Sequence, residues 1–154
     1  MKARREMRFD SYGLGGYREP SLATELSNAK TLLEAAQVIL RIDIAELPLP
    51  RHIDAVLGWA TREGVTNIVR HSRAHHCTIS LSRQQESARL LVCNDGCEGA
   101  NKRFVMGHGL RGLQERVSSY DGTLRAEADE DGNFNLHVSL PLHEDPEHDS
   151  NSSR

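Results

Sequence analysis

Apolar positions recur along this chain in two rhythms, and the switches between them mark its elements. From Ser21 onward, Leu22, Leu26, Ala29, Leu33 and Ala36 return at helical steps, with Ser21 placed to cap the helix. "VILRIDI" changes period: Val38, Leu40, Ile42 and Ile44 fall in phase, as on one side of a strand. "LPLP" breaks that strand, and Pro50 is suited to the first turn of a second helix running to about His71. Its core stripe is Ile53, Leu57, Ala60, Gly64 and Ile68. Two strands follow, "CTISLS" and "RLLVCN", with "RQQESA" as the hairpin link and Leu90, Val92 and Asn94 in phase. A short helix, "LRGLQERVSSY", carries Leu110, Leu113 and Val117 on one face. The last strands, "TLRAEAD" and "FNLHVSLPL", meet through Asp131-Gly132, a hairpin turn signal. Five strands and three helices predict an α/β two-layer sandwich, a mixed five-stranded sheet with the helices on one face.

The ends do not share these rhythms. Residues 1–19 are basic and then interrupted by Gly, running into Pro20, so they are expected to be irregular, leaving residues 20–142 as one domain. The tail, residues 143–154, is polar and expected to be disordered. At 154 residues there is room for a single core. The net charge of -3, with both signs interspersed, argues against a nucleic-acid surface. No apolar run is long enough to span a membrane, and "MKARREMRFD" has no apolar stretch behind it, so the expected compartment is the cytoplasm. Cys77, Cys93 and Cys97 form an odd set that fits reduced thiols, and no second pair completes a zinc site.

Three features depart from core patterning. Glu63 and Asn67 lie one turn apart on the second helix, sharing a face at the edge of its apolar stripe. "CNDG" puts polar groups at the end of a buried strand, followed by Gly96, where a backbone can come close to a ligand. "GHGLRGL" puts Gly107 and Gly109 at a helix N-terminus, whose free N–H groups and dipole favour phosphate. Alone, the Glu63/Asn67 pair reads as a solvated helix flank, and each glycine pair decides little. Together, at these spacings, they suggest one nucleotide site.

These segments resemble the ATP-binding domain of two-component sensor histidine kinases, in the DesK-like/NarL-like branch of the GHKL (Bergerat-fold) ATPases. "REGVTNIVRHSRA" is similar to the family's N box, "CNDG" to its G1 box, "GHGLRGLQERV" to its G2 box and "DGNFNLHVSLP" to its closing hairpin. The resemblance spans roughly residues 18–142. It implies that Glu63 orients or deprotonates the attacking group and that Asn67 holds Mg²⁺. Arg70 would lie near the phosphates, and His71 would either contact nucleotide or cap its helix. Asn94 stands where the family commonly has an adenine-binding Asp, with Asp95 as the alternative acceptor. Gly96, Gly107, His108, Gly109 and Leu110 complete the implied nucleotide contacts, and Asn133 stands where the closing strand usually has Thr. The fifteen-residue "DGCEGANKRFVMGHG" is a loop long enough to be functional, and within it residues 97–106 would form a short lid. In it Gly99 falls one residue late, and Lys102 and Arg103 either reach phosphates or are merely solvated.

The implied cofactors are ATP and Mg²⁺, and the implied activity is transfer of the γ-phosphate to a histidine. No acceptor hairpin fits the nineteen residues before the first helix, and none of the eight histidines has the family's acceptor context. The expected partners are therefore a histidine-bearing dimerisation hairpin on another segment or chain and a response regulator downstream, with the chain itself a monomer. The alternatives are an ATP-binding regulatory module without turnover and a stand-alone kinase of the anti-sigma type.

Overall fold

The computed structural model describes residues 19–97 and 107–143. Helix α1 spans Leu22–Ala35, and Ser21 Oγ accepts the Thr24 N–H at 3.1 Å, so the first turn is capped as its sequence predicts. Ala36 falls just outside this helix and is exposed. Strand β1 is Ile39–Ile44, with Leu40, Ile42 and Ile44 turned inward from the exposed Ile39, Arg41 and Asp43. Helix α2 is Arg51–His71; Pro50 sits one place before its first turn, at the cap, where its missing N–H costs nothing.

Strands β2 (His76–Gln84) and β3 (Ser87–Asn94) are longer than their apolar cores imply. Only Gln85 and Glu86 turn between them, with Gln85 at φ 55°. Helix α3 is His108–Ser119, and β4 (Thr123–Ala128) and β5 (Phe134–Pro141) close the chain. Their connection is five residues rather than a two-residue turn. Asp129 organises it by accepting the Asp131 and Asn133 N–H groups, each at 2.9 Å.

The sheet order is β1-β2-β3-β5-β4, with β1 and β2 parallel and every other pair antiparallel. Inward positions of β2, β3 and β5 (Ile79, Leu90, Val92, Leu136, Val138 and Leu140) meet α1 through Leu33, α2 through Ile53 and Leu57, and α3 through Leu113 and Val117 in one core. All three helices cover that face, as the patterning predicts. Gly64 brings α2 down onto the sheet: a Cβ there would lie 3.1 Å from Val92. Its flanking residues, Glu63 and Asn67, are thereby carried low beside the ends of β3 and β5. The N-terminal segment, the tail and the lid positions Gly99, Lys102 and Arg103 lie outside the described residues.

Candidate functional site

A cavity of about 410 Å³ opens between the C-terminal half of α2, the start of α3 and the ends of β3 and β5. Asn67, His71, Asn94, Gly107, Gly109 and Leu110 line it, so six of the residues singled out in sequence converge on one space. The Asn67 side chain makes no hydrogen bond among the described residues. Helix α2 ends beside the cavity, and Ser72 closes it, its Oγ donating to the Ile68 carbonyl at 2.7 Å. The C-cap is therefore Ser72, and His71, the last residue of the helix, is among the residues lining the cavity.

Glu63 reaches the start of α3. A Cβ at Gly109 would stand 2.8 Å from Glu63 Cδ and closer still to Oε2, so only glycine leaves room for the carboxylate. Burial pushes the Glu63 carboxyl above its ordinary range, against the lowering pull of the Arg62 and Arg70 guanidiniums. Among the described residues no side chain caps α3. Its first intrahelical bond runs from the Arg111 N–H to the Gly107 carbonyl at 3.0 Å. The N–H groups of His108, Gly109 and Leu110 therefore have no partner within the helix, an arrangement suited to an anion.

Asn94 is only 3% exposed, and its Nδ2 donates to the Asp95 carbonyl at 2.8 Å. A carbonyl can only accept, so the amide orientation is chemically determined and Oδ1 remains the acceptor.

Five expected residues are used elsewhere or stand apart. Asp95 turns away from the cavity: Oδ1 accepts the His75 and His76 N–H groups at 2.7 and 2.9 Å, and Oδ2 meets His76 Nδ1 at 3.0 Å. Desolvation raises its carboxyl, but these bonds from His76 and His75 outweigh it and bring the pKa down to about 2. Asp95 is thus a clamp on the segment before β2, not an alternative base acceptor. Gly96, at φ 71°, lies under Arg73 and Ala74, where a Cβ would fall 2.8 Å from Ala74 N. The close approach it permits is to backbone rather than to a ligand. Asn133 belongs to the β4–β5 connection, its Nδ2 3.3 Å from Asp129 Oδ2. Arg70 and His108 are exposed and do not line the cavity.

Sequence reasoning missed Ile68, Ser72, Cys97 and Phe134 on the cavity wall. Phe134 is the consequential one: it pairs across the sheet with Asn94, so it fills the closing-strand position expected of Asn133. Counting back in twos from the buried Leu140, Val138 and Leu136 arrives at Phe134, the signal that identifies it.

No family model matches the chain. It is 31% identical over 130 residues to the sensor histidine kinase YvfT of Bacillus subtilis, covering 81% of this chain and 33% of that protein. The sensor histidine kinase DesK of the same organism is 31% identical over 125 residues, covering 78% and 33%. The chain therefore spans about a third of the length of these relatives. In solved structures, the Acinetobacter baumannii histidine kinase AdeS superposes with a TM-score of 0.64 at 14% identity, over 80% of this chain and 66% of that one. The histidine kinase domain of the Erythrobacter litoralis blue-light activated kinase EL346 gives 0.63 at 16% identity, over 83% and 66%.

Proposed function

We propose that this chain, a member of the sensor histidine kinase family by its relatives and its fold, is the part that binds Mg-ATP and passes the γ-phosphate to a histidine on a dimerisation hairpin. The single observation that carries the reading is the convergence of Glu63 and Asn67 with the uncapped start of α3. The donor set suits a magnesium triphosphate. Asn67 offers one hard amide oxygen, and magnesium takes its remaining ligands from water and phosphate. When bound, the metal neutralises charge on the terminal phosphates. The amides opening α3 supply donors to phosphate oxygens without reorganising. Glu63, made more basic by burial, is suited to hold or accept the proton of the incoming imidazole as its other nitrogen attacks phosphorus and ADP leaves.

The acceptor hairpin and a response regulator are the partners this reading requires. The second reading, a module that holds ATP without turnover, is favoured by Asn94, a neutral amide at the family's carboxylate position. One experiment separates them: the protein is mixed with labelled ATP, Mg²⁺ and a helical hairpin carrying a family acceptor histidine. Acid-labile phosphate on the hairpin, lost on Glu63→Gln while ATP still binds, supports the kinase. ATP binding with no transfer supports the module. Calorimetry that registers no heat with ATP and Mg²⁺ overturns both.

A further inference from the structure

Strand β1 forms one edge of the sheet, with β2 its sole strand neighbour among the described residues. The Ile39 N–H donates to the His75 carbonyl at 2.8 Å and the Ala45 N–H to the Leu81 carbonyl at 2.9 Å, so the odd-numbered residues face β2. Successive residues of a strand point their backbone groups to opposite sides, and Leu40, Ile42 and Ile44 therefore direct theirs to the open edge. Charges of a single sign, or a proline, would blunt that edge against a second copy of itself. This strand instead carries one charge of each sign, Arg41 and Asp43, both exposed and without a hydrogen-bond or ion-pair partner among the described residues. At the opposite edge the same spacing is satisfied internally, Arg125 Nη2 meeting Glu127 Oε1 at 3.4 Å. Apolar surface accompanies the β1 edge. Ile39 is 66% exposed, and a groove of about 500 Å³ is lined by Val38, Leu40 and Ile42 of the strand segment and by Lys30 and Glu34 of α1.

We propose that β1 is the pairing surface for a second copy of this chain, joined antiparallel about a two-fold axis at Ile42. In that register the sequence is complementary to itself. Ile42 meets Ile42 of the partner subunit, Leu40 meets Ile44 of the partner subunit, and Ile39 meets Ala45 of the partner subunit. Arg41 faces Asp43 of the partner subunit, and symmetry makes that contact twice. These two residues fall at the positions without ladder hydrogen bonds, where facing side chains come closest. Moving the axis one residue either way would set Arg41 against Arg41 or Asp43 against Asp43, and parallel pairing in register would do both. Lys30 and Glu34 likewise give the groove one charge of each sign, so two copies do not repel across it. In place of the monomer expected from the sequence, the chain is then a weak dimer. A short strand edge buries little area, which sets a dissociation constant on the order of 100 µM. The nucleotide cavity lies two strands away at β3, and the inference does not rest on it.

The test is sedimentation equilibrium of the full chain at low ionic strength, over roughly 10 µM to 1 mM. Wild type should pass from monomer to dimer. Arg41→Asp and Asp43→Arg each set like charges opposite one another and should weaken association by on the order of 10-fold. Combining the two substitutions restores opposite charges at unchanged net charge and should recover the wild-type association. An equimolar mixture of the two single variants should associate where neither does alone. Both positions are exposed, so every variant should melt like wild type. Wild type that stays monomeric throughout overturns the inference, as do single variants that associate as well as wild type. A double variant that melts normally yet stays monomeric overturns the register, and a dimer lost instead on Arg125→Glu assigns the contact to the other edge and overturns the role of β1.

Discussion

Arg62 and Glu25 form an ion pair whose two halves are unequally placed, and the inequality sets the cost of breaking it. Glu25 is 4% exposed while Arg62 is 44% exposed, with Nε and Nη2 at 3.1 and 2.5 Å from the same Glu25 oxygen. Arg62→Ala strands a carboxylate in the α1–α2 contact. Removing one partner of a buried pair costs about 3–5 kcal/mol, and the half-exposed guanidinium places this pair near 3 kcal/mol. The Trp59 ring loses little, because Arg116 covers it at 4.5 Å as Arg62 does at 4.7 Å. Glu25→Gln removes the buried charge and leaves an arginine that water can reach, at a cost of about 1 kcal/mol. Urea unfolding monitored by Trp59 fluorescence gives both values. Thermal midpoints should fall by roughly 6–12 °C for Arg62→Ala and by roughly 2–4 °C for Glu25→Gln. Equal losses, or a larger loss for Glu25→Gln, would refute the reasoning that burial of the carboxylate sets the cost.

Gly109→Ala should leave the melting temperature level or higher, since alanine favours a helix by up to about 1 kcal/mol. The new methyl displaces the Glu63 carboxylate, and phosphotransfer to a hairpin substrate should fall on the order of 100-fold. Glu63→Gln should stabilise the fold at neutral pH. The raised carboxyl contributes stability below its ordinary pKa of 4.5 and loses it as pH rises through the folded value, so the charged form is a burden that glutamine lacks. A pH series of melts in which the gain persists at pH 3 would contradict this. Asp95 has the opposite sign: its stabilisation is present above 3.8 and disappears as pH falls toward about 2. Asp95→Asn should therefore flatten the acid limb of the stability profile. Leu57→Ala, at a fully buried position, should cost about 2–5 kcal/mol in the same unfolding assay.

The elements were legible because each carries its period on a continuous face. Ile53, Leu57, Ala60, Gly64 and Ile68 are all buried along α2, and Leu90, Val92 and Asn94 along β3. The site was legible where its residues lie on those elements, as with Asn67 and Asn94. It was obscure where the decisive partner is remote in sequence. Nothing local to Asp95 foretells that the N–H groups of His75 and His76 will take its carboxylate, because they arrive from the start of β2. Asn133 and Phe134 are adjacent, and in a strand one residue exchanges the two faces. The polar side chain drew the assignment, while the phase of Leu136, Val138 and Leu140 pointed to the ring.

Arg62 and Glu63 are consecutive, and side chains one residue apart on a helix diverge by roughly 100°. Helix α1 grips the first of them through Glu25, and the second projects toward Gly109. The clasp between the two helices therefore keys the azimuth of α2. It holds the helix like a spline in its groove, so that the carboxylate arrives at its station already aimed.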